Sequence, residues 1–202
     1  MLPLTPGNFP DLEAIFNARG CSVARGCWCL YYRDSGRPAF GGGHSRADDN
    51  RRDLRSRVRR GEFIGLVGYR EGEPVGWISL GPREVYRKLE RSPVMKPVDN
   101  ERVWSIVCFV VPSEHRGMGV ARQLLRGAIA FARRKRVKIL EAYPVDRPGH
   151  SADDSMWFGT KSMYDAAGFR EIARRKPTRP VVRLRLTRAY VPTSARAASP
   201  NR

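Results

Sequence analysis

Residues 110–121 read VVPSEHRGMGVA, and they join an apolar run to a long amphipathic segment. The preceding run, residues 103–111, reads VWSIVCFVV, and such a nearly continuous series of β-branched and aromatic residues predicts a strand buried on both faces. Pro112 ends the strand because proline has no N–H for the ladder. From Gly117 to Lys135 apolar residues recur at helical spacing. The chain therefore runs from a buried strand through a glycine-bearing turn into a helix.

This turn has the composition of an anion site. The first turn of a helix carries free backbone N–H groups and the positive end of the helix dipole. Gly117 and Gly119 lack a Cβ, so a phosphate can approach the backbone, and Arg116 adds a cation. The turn is not a Walker A loop, and it lacks the third small residue of Gly-x-Gly-x-x-Gly. Glycines that merely shape a turn are the alternative, but the strand–turn–helix context favours an anion site.

Elements on both sides of this unit indicate an α/β fold of the α+β type with a mixed sheet. Short apolar, β-rich runs predict further strands at residues 63–69, 75–80, 137–145, 169–173 and 181–186, the first two joined as a hairpin. Helical patterns cover residues 5–19, 47–60 and 158–167, and Gly168 ends the last of these. The cysteine- and aromatic-rich residues 20–33 predict one more strand, whereas residues 34–46 and 146–155 have loop composition.

The chain length and composition predict one folded domain with a tail. With 202 residues, of which 41% are hydrophobic, the chain is too apolar to be disordered and fits a single domain over residues 1–188. Residues 189–202 are predicted to be a disordered tail. The net charge of +18 favours anionic partners such as phosphates or nucleic acid. A genome-wide excess of arginine would explain the same charge equally well.

Several classes of protein are excluded by simple patterns. No apolar run approaches the roughly 20 residues of a membrane helix, and the N-terminus lacks a signal-peptide pattern. Four cysteines are too few for a disulfide scaffold, so we expect a reduced, cytoplasmic protein. Cys27 and Cys29, with Cys21 and His44 nearby in sequence, have a spacing that suits structural zinc poorly, and we predict no metal site.

Three motifs, in order, resemble the GNAT superfamily of acyl-CoA-dependent N-acyltransferases. Residues 116–121, RGMGVA, fit the family signature Arg/Gln-x-x-Gly-x-Gly/Ala. The hairpin GLVGYREGEPVGWISL, residues 65–80, looks like the second and third strands of the family, and SMYDAAGF, residues 162–169, looks like its closing helix and Gly-Phe turn. The resemblance covers about residues 61–186, whereas residues 1–60 match only loosely.

The resemblance implies a mixed, mostly antiparallel central sheet flanked by helices, in which the fourth and fifth strands splay apart. It also implies acetyl-CoA as cosubstrate, with the pantetheine arm in the gap between these strands and the pyrophosphate on backbone amides of the turn. The implied cofactor-binding residues are Cys108, Phe109 and Val110 on the fourth strand, and Arg116, Gly117, Met118, Gly119, Val120, Ala121 and Arg122 in the turn and first helical turn.

Two catalytic candidates follow from the resemblance. Tyr164 matches the tyrosine that protonates the departing thiolate, and a phenol of pKa near 10 can act as an acid at neutral pH. A tyrosine that fills the core is the alternative. Glu141 lies where some family members place a general base, and an ion pair with one of the many arginines is its alternative. Many family members carry asparagine seven residues before the tyrosine, but this chain has Trp157 there.

The sequence thus predicts an N-acetyltransferase that moves an acetyl group from acetyl-CoA directly to an amine, without a covalent enzyme intermediate. Water or Glu141 would take the amine proton, and the acceptor would be a small molecule or a peptide. The basic charge disfavours cationic acceptors and favours acidic or neutral ones. Two alternatives are a basic nucleic-acid or ribosome-associated binding protein on the same fold, and a non-catalytic acyl-CoA sensor. Such folds also allow a homodimer.

Overall fold

The computed structural model describes residues 1–33, 46–147 and 157–186. Their strands are β1 (Leu2–Pro3), β2 (Gly65–Arg70), β3 (Glu73–Pro82), β4 (Trp104–Val110), β5 (Ile139–Ala142), β6 (Arg170–Ala173) and β7 (Val181–Arg185). Their helices are α1 (Phe9–Asn17), α2 (Ser22–Cys27), α3 (Arg46–Arg59), α4 (Arg87–Glu90), α5 (Val120–Arg134) and α6 (Lys161–Ala166), with 3₁₀ turns at Arg83–Val85 and Ser113–His115. Within these described ranges, no helix is long and apolar enough to cross a membrane.

All the strands belong to one sheet with the order β1-β2-β3-β4-β5-β7-β6. Neighbouring strands are antiparallel except β4 and β5, which run parallel. These two strands pair only from Trp104 to Ile106 on β4 and from Leu140 to Ala142 on β5, and then diverge. The expected fold class, a mixed and mostly antiparallel sheet with splayed fourth and fifth strands, is confirmed.

Each face of the sheet carries its own hydrophobic cluster. Successive residues of a strand point to opposite faces, so Trp77 and Ile78 on β3 belong to different clusters. Trp77 packs with residues of α1, α2 and α3, whereas Ile78 packs with residues of α5 and α6. Helices on both faces therefore bury the sheet, and β4 and β5 are the pair of described neighbouring strands that diverges.

Residues 20–33 differ from the predicted strand. They form α2 and then turn through Trp28 and Cys29, both of which have left-handed backbone angles (φ 46° and 54°). The Trp28 ring stacks on Phe9 at 6.4 Å and packs against Phe16 at 5.1 Å between ring centroids. Burial of this aromatic group against α1 outweighs the β propensity of the local sequence.

Other differences concern short elements and undescribed segments. Strand β1 and helix α4 were not predicted from the sequence, because a two-residue strand and a four-residue helix leave no periodic pattern. The predicted tail, residues 189–202, lies outside the described residues, as do most of the predicted loops at 34–46 and 146–155. The single domain over residues 1–188 stays a prediction.

Candidate active site

The turn after β4 has an open backbone cradle. Gly117 and Gly119 have φ angles of 74° and 75°, which residues other than glycine rarely adopt. A Cβ built at either position would meet nothing within 4 Å. Gly119 precedes the first residue of α5, a 15-residue helix with no side-chain cap and no acidic residue in its first turn. The free N–H groups of α5 therefore face open space without a competing anion, and the cradle fits a pyrophosphate.

A groove of about 700 Å³ runs from this cradle past the end of β4 to the start of α6. Its size is typical of a ligand site. The predicted cofactor-binding residues that line it are Phe109, Val110, Arg116, Gly117, Gly119, Val120, Ala121 and Arg122. Two others lie outside its wall: Met118 is 55% exposed and contacts Arg70, and Cys108 is buried in the cluster that contains Trp77.

Arg116 lies in the groove wall, but backbone carbonyls hold its guanidinium. Its Nε donates to the oxygen of Val111 at 3.1 Å, and one Nη donates to the oxygen of Gly20 at 2.6 Å. The structure ties Arg116 to the turn between α1 and α2. The side chain thus positions the cradle relative to the helices on the other face of the sheet. Its expected contact with a phosphate stays a prediction.

The split between β4 and β5 is partly filled by the chain itself. The N–H of Phe109 donates to the carbonyl oxygen of Trp157 at 2.7 Å, and Val145 forms a parallel bridge with Thr160. The N–H and C=O of one strand residue point to the same edge, so the carbonyl of Phe109 also faces the split. Of the predicted pantetheine partners on β4, the amide of Phe109 is therefore already used by Trp157, the residue that replaces the family asparagine.

Tyr164 lies on α6 with a buried hydroxyl that has no hydrogen-bond partner among the described residues. The Thr160 side chain accepts from the N–H of Met163 and caps the short helix that carries it. The ring packs edge-on against Phe109 and Phe169, with centroids 6.4 and 5.0 Å away. Burial, with a smaller contribution from Cys108, raises the pKa of Tyr164 well above its usual range. The phenol is thus held in its protonated form.

Gly159 brings the Tyr164 ring close to the groove. This glycine lies in the groove wall with a φ of 72°, and a Cβ built on it would lie 3.5 Å from Cε2 of Tyr164. The same Cβ would lie 2.4 Å from the terminal methyl of Met163. Tyr164 itself is fully buried and does not line the groove, so the ring lies directly behind the wall at Gly159. A side chain at this position would add a further layer between the ring and the groove.

Glu141 is 1% exposed and fully engaged by basic and phenolic groups. One carboxylate oxygen accepts from Arg83 at 2.7 Å and from the hydroxyl of Tyr143 at 2.6 Å, and the other accepts from Nε of Arg183 at 2.8 Å. Ser105 lies 2.9 Å from the same tyrosine hydroxyl. The sequence left open a general base or an ion pair, and this geometry favours the ion pair.

The network around Glu141 extends to the surface through its arginines. Arg183 also binds Asp99 at 2.6 Å and holds the pKa of that carboxyl at about 2, below its usual value of 3.8. Arg83 also donates to Glu90 and to the carbonyl of Met95. Arg83 and Arg183 lie 58 and 42 residues from Glu141 along the chain, so neither could be identified as its partner from the sequence. The one sequence feature that pointed to this network was the presence of a glutamate, Glu141, inside an apolar strand.

The cysteines form a core contact rather than a ligand set. Nε1 of Trp77 donates to the sulfur of Cys29 at 3.1 Å. Hydrogen bonding with Cys29 raises the pKa of Cys27, and hydrogen bonding with Cys108 raises that of Cys29. Cys27 and Cys29 are therefore protonated and poor nucleophiles. Over residues 1–33, 46–147 and 157–186, no group of His, Cys, Asp or Glu side chains could hold a metal ion, and His44 lies outside these ranges.

Comparison with protein families identifies the domain. The model of the acetyltransferase (GNAT) family matches residues 28–154, which is more than half of the 202-residue chain. No curated protein matches the chain in sequence.

Solved structures with the same fold cover most of the chain. The ribosomal-protein-alanine N-acetyltransferase of Brucella melitensis is 23% identical over 91% of this chain and 98% of its own, with a TM-score of 0.50. A GNAT family acetyltransferase of Streptococcus agalactiae is 14% identical over 93% and 94%, with a TM-score of 0.54. The yncA protein of Salmonella typhimurium, solved with its cofactor acetyl-CoA, is 17% identical over 95% and 96%, with a TM-score of 0.50.

These identities are all below 25%, so the likeness to the solved structures supports the fold, and the family match supports the activity class. The glycine cradle, the split strands and the groove described above agree with both. The chain belongs to the GNAT family of acetyltransferases, enzymes that use acetyl-CoA as the acetyl donor.

Proposed function

We propose that this enzyme transfers the acetyl group directly to the amine of a small-molecule or peptide acceptor, with Tyr164 as the proton donor. When bound, acetyl-CoA supplies a thioester whose acetyl group passes to the amine and whose sulfur needs a proton as it departs. The buried hydroxyl of Tyr164, which has no hydrogen-bond partner among the described residues and whose ring lies behind the groove wall at Gly159, carries this proposal. The hydroxyl stays protonated because burial raises its pKa, so it can donate at neutral pH.

The amine must also lose a proton as it is acetylated, and we propose that water accepts this proton. Glu141 already accepts from Arg83, Arg183 and Tyr143, and it is 1% exposed. Both oxygens of the carboxylate are occupied by these partners, and no face of it is open to a substrate. We therefore give Glu141 a structural role and not the catalytic role that its position in the family suggests.

Direct transfer predicts a ternary-complex mechanism. Cys21, the described cysteine in the groove wall, is buried, and burial raises its pKa. Cys27 and Cys29 lie outside the wall and are also protonated, so a cysteine-bound acetyl group is not expected. Initial rates measured against both substrates should give intersecting lines in double-reciprocal plots, and the intact mass of enzyme incubated with acetyl-CoA alone should not change. Parallel lines together with a stable gain of one acetyl group would show a covalent intermediate and contradict direct transfer.

The cradle predicts the effect of a charge placed on it. In Gly119→Glu, a carboxylate stands at the N-terminus of α5, where the structure has open space and the pyrophosphate is expected. We expect acetyl-CoA to bind at least tenfold more weakly, which is about 1.4 kcal/mol, as measured by isothermal titration calorimetry.

Gly72→Glu is a matched control for this variant. Gly72 also has a positive φ, 89°, and open space at its Cβ, but it lies in the turn between β2 and β3. Both variants carry the same backbone strain and the same added charge, so only their positions differ. Equal affinity of wild type and Gly119→Glu, or equal weakening in both variants, would show that the cradle does not hold the pyrophosphate.

A further inference from the structure

Arg179 lies at the open end of the split between β4 and β5. It precedes β7, and one Nη donates to the carbonyl oxygen of Tyr143, directly after β5, at 3.2 Å. The guanidinium carbon lies 4.9 Å from the ring centroid of Phe158, which follows Trp157 in the segment that fills the split. Tyr143 and Phe158 belong to the hydrophobic cluster on the α1–α2 face, so Arg179 frames the split on the face opposite to α5.

The charge of Arg179 has no carboxylate partner within the described ranges. Arg83 and Arg183, the neighbouring buried arginines, each pair with Glu141. Arg179 is half-buried, and burial and the nearby guanidinium of Arg147 lower its pKa, although Tyr32 opposes this effect. A guanidinium has five N–H donors, and one of these five is used by Tyr143.

Nearby acidic groups pair with other basic residues. Asp146 lies in the groove wall beside Arg147, but Arg174 pairs with it at 2.7 Å and with Glu171 at 2.6 Å. Lys161, also in the wall, pairs with Asp165 at 2.7 Å. Arg147 in the groove wall and Arg179, which lies outside that wall on the opposite face of the split, have no carboxylate partner among the described residues. Their guanidiniums favour an anion and repel a cation.

We propose that the acceptor amine carries an anionic group, a carboxylate or a phosphate, and that Arg179 binds it, with Arg147 adding attraction. The inference rests on the proposed function and names the acceptor class of the same site. The Phe158 ring holds the guanidinium plane, so the free edge can present two parallel donors to an oxyanion. A polyamine would meet two like charges here and is a poor fit.

The test uses acceptors in matched pairs that differ in the anion alone. β-Alanine is compared with β-alaninamide for the carboxylate, and O-phosphoethanolamine with ethanolamine for the phosphate. We expect the wild-type enzyme to prefer at least one anionic member by about tenfold in kcat/KM. In Arg179→Gln, the KM of that acceptor should rise about tenfold while kcat, the KM of the neutral member and the affinity for acetyl-CoA stay unchanged. In Arg179→Lys, the KM of the anionic acceptor should lie between the values for the wild type and for Arg179→Gln.

Arg185→Gln is the control for loss of one positive charge. Arg185 lies on β7, is 69% exposed and pairs with Glu101 instead of the groove, so its removal should leave the acceptor preference intact. An enzyme that prefers neutral amines, or an Arg179→Gln variant that keeps the anionic preference, overturns the inference while acetyl transfer stands. A lower affinity for acetyl-CoA in Arg179→Gln, with the acceptor KM unchanged, overturns it in favour of a contact to the donor.

A different result separates this inference from the proposed function. If the protein binds acetyl-CoA but acetylates no amine, the proposed function fails. The same amine pairs are then titrated into the CoA-saturated protein by calorimetry. Tighter binding of the anionic members that is lost in Arg179→Gln supports the inference, and the absence of such a preference overturns it.

Discussion

Tyr164→Phe lowers kcat by about 10²–10⁴-fold, the range expected when a positioned general acid is removed. The phenylalanine ring keeps the contacts with Phe109 and Phe169, so the groove retains its shape. Acetyl-CoA affinity, measured by calorimetry, should stay within about twofold of wild type, because the cradle is unchanged. Because burial raises the pKa of Tyr164, kcat of the wild type should show no alkaline loss from this group below about pH 10.

The same variant should be as stable as the wild type or more stable. The Tyr164 hydroxyl is buried and makes no hydrogen bond with a described residue, so removing it breaks no bond and leaves no unsatisfied partner. Thermal unfolding and urea titration measure this effect. If Tyr164 merely fills the core, the activity prediction fails, and kcat of Tyr164→Phe stays within a few-fold of wild type.

Tyr143→Phe is the matched control. Tyr143 is equally buried, and its pKa is also raised, chiefly by burial and also by Glu141. Its hydroxyl, however, donates to Glu141 and contacts Ser105, so its removal should cost about 1–3 kcal/mol of unfolding free energy. The two variants should therefore differ in what they lose. Tyr164→Phe loses activity and keeps its stability, whereas Tyr143→Phe loses stability and keeps most of its activity.

Glu141→Ala destabilises the fold by about 3–5 kcal/mol, because it leaves the guanidiniums of Arg83 and Arg183 buried without their shared partner. For a chain of this length, the melting temperature should fall by about 6–20 °C. Glu141→Gln should lose much of the same stability, since an amide keeps the shape but not the charge. Differential scanning calorimetry measures both variants.

Glu101→Gln is the control for an exposed carboxylate in the same network. Glu101 binds Arg183 at 3.2 Å and Arg185 at 3.0 Å but is 38% exposed, and exposed pairs contribute about 0–1 kcal/mol. A general-base role for Glu141 predicts a different pattern. Glu141→Gln would then melt near the wild-type temperature, lose kcat and lose the acidic limb of its pH–rate profile.

Local patterns were sufficient to predict the core of the fold and the cradle. The hairpin of β2 and β3, the buried strand β4 and the amphipathic helix α5 each carry a strong periodic or turn signal within one short segment. The positive φ angles of Gly117 and Gly119 follow from the same local chemistry. These elements fix the position and backbone geometry of the cradle, so both could be predicted from sequence alone. That the cradle binds the pyrophosphate stays a prediction.

Contacts between distant segments could not be predicted. The partners of Glu141 come from the loop after β3 and from β7, and no sequence pattern says which of 32 arginines reach it. Residues 20–33 have a β-like composition, but they form the short helix α2 and a turn, because Trp28 packs on α1. The carbonyl of Trp157 that binds Phe109 is a backbone contact, and its side chain gave no indication of it.

The strand order has a consequence for how this protein folds. β7 is the last of the described strands, yet it lies between β5 and β6, so one edge of β5 stays unpaired until residues 181–185 are available. During synthesis, nearly all of the described chain must leave the ribosome before the sheet can close. The same strand delivers Arg183 to Glu141, so closure of the edge and completion of the ion-pair network around this buried carboxylate occur in one late step. Until then the bare edge of β5 can pair with another nascent chain, and aggregation of incomplete chains is the characteristic hazard of this topology.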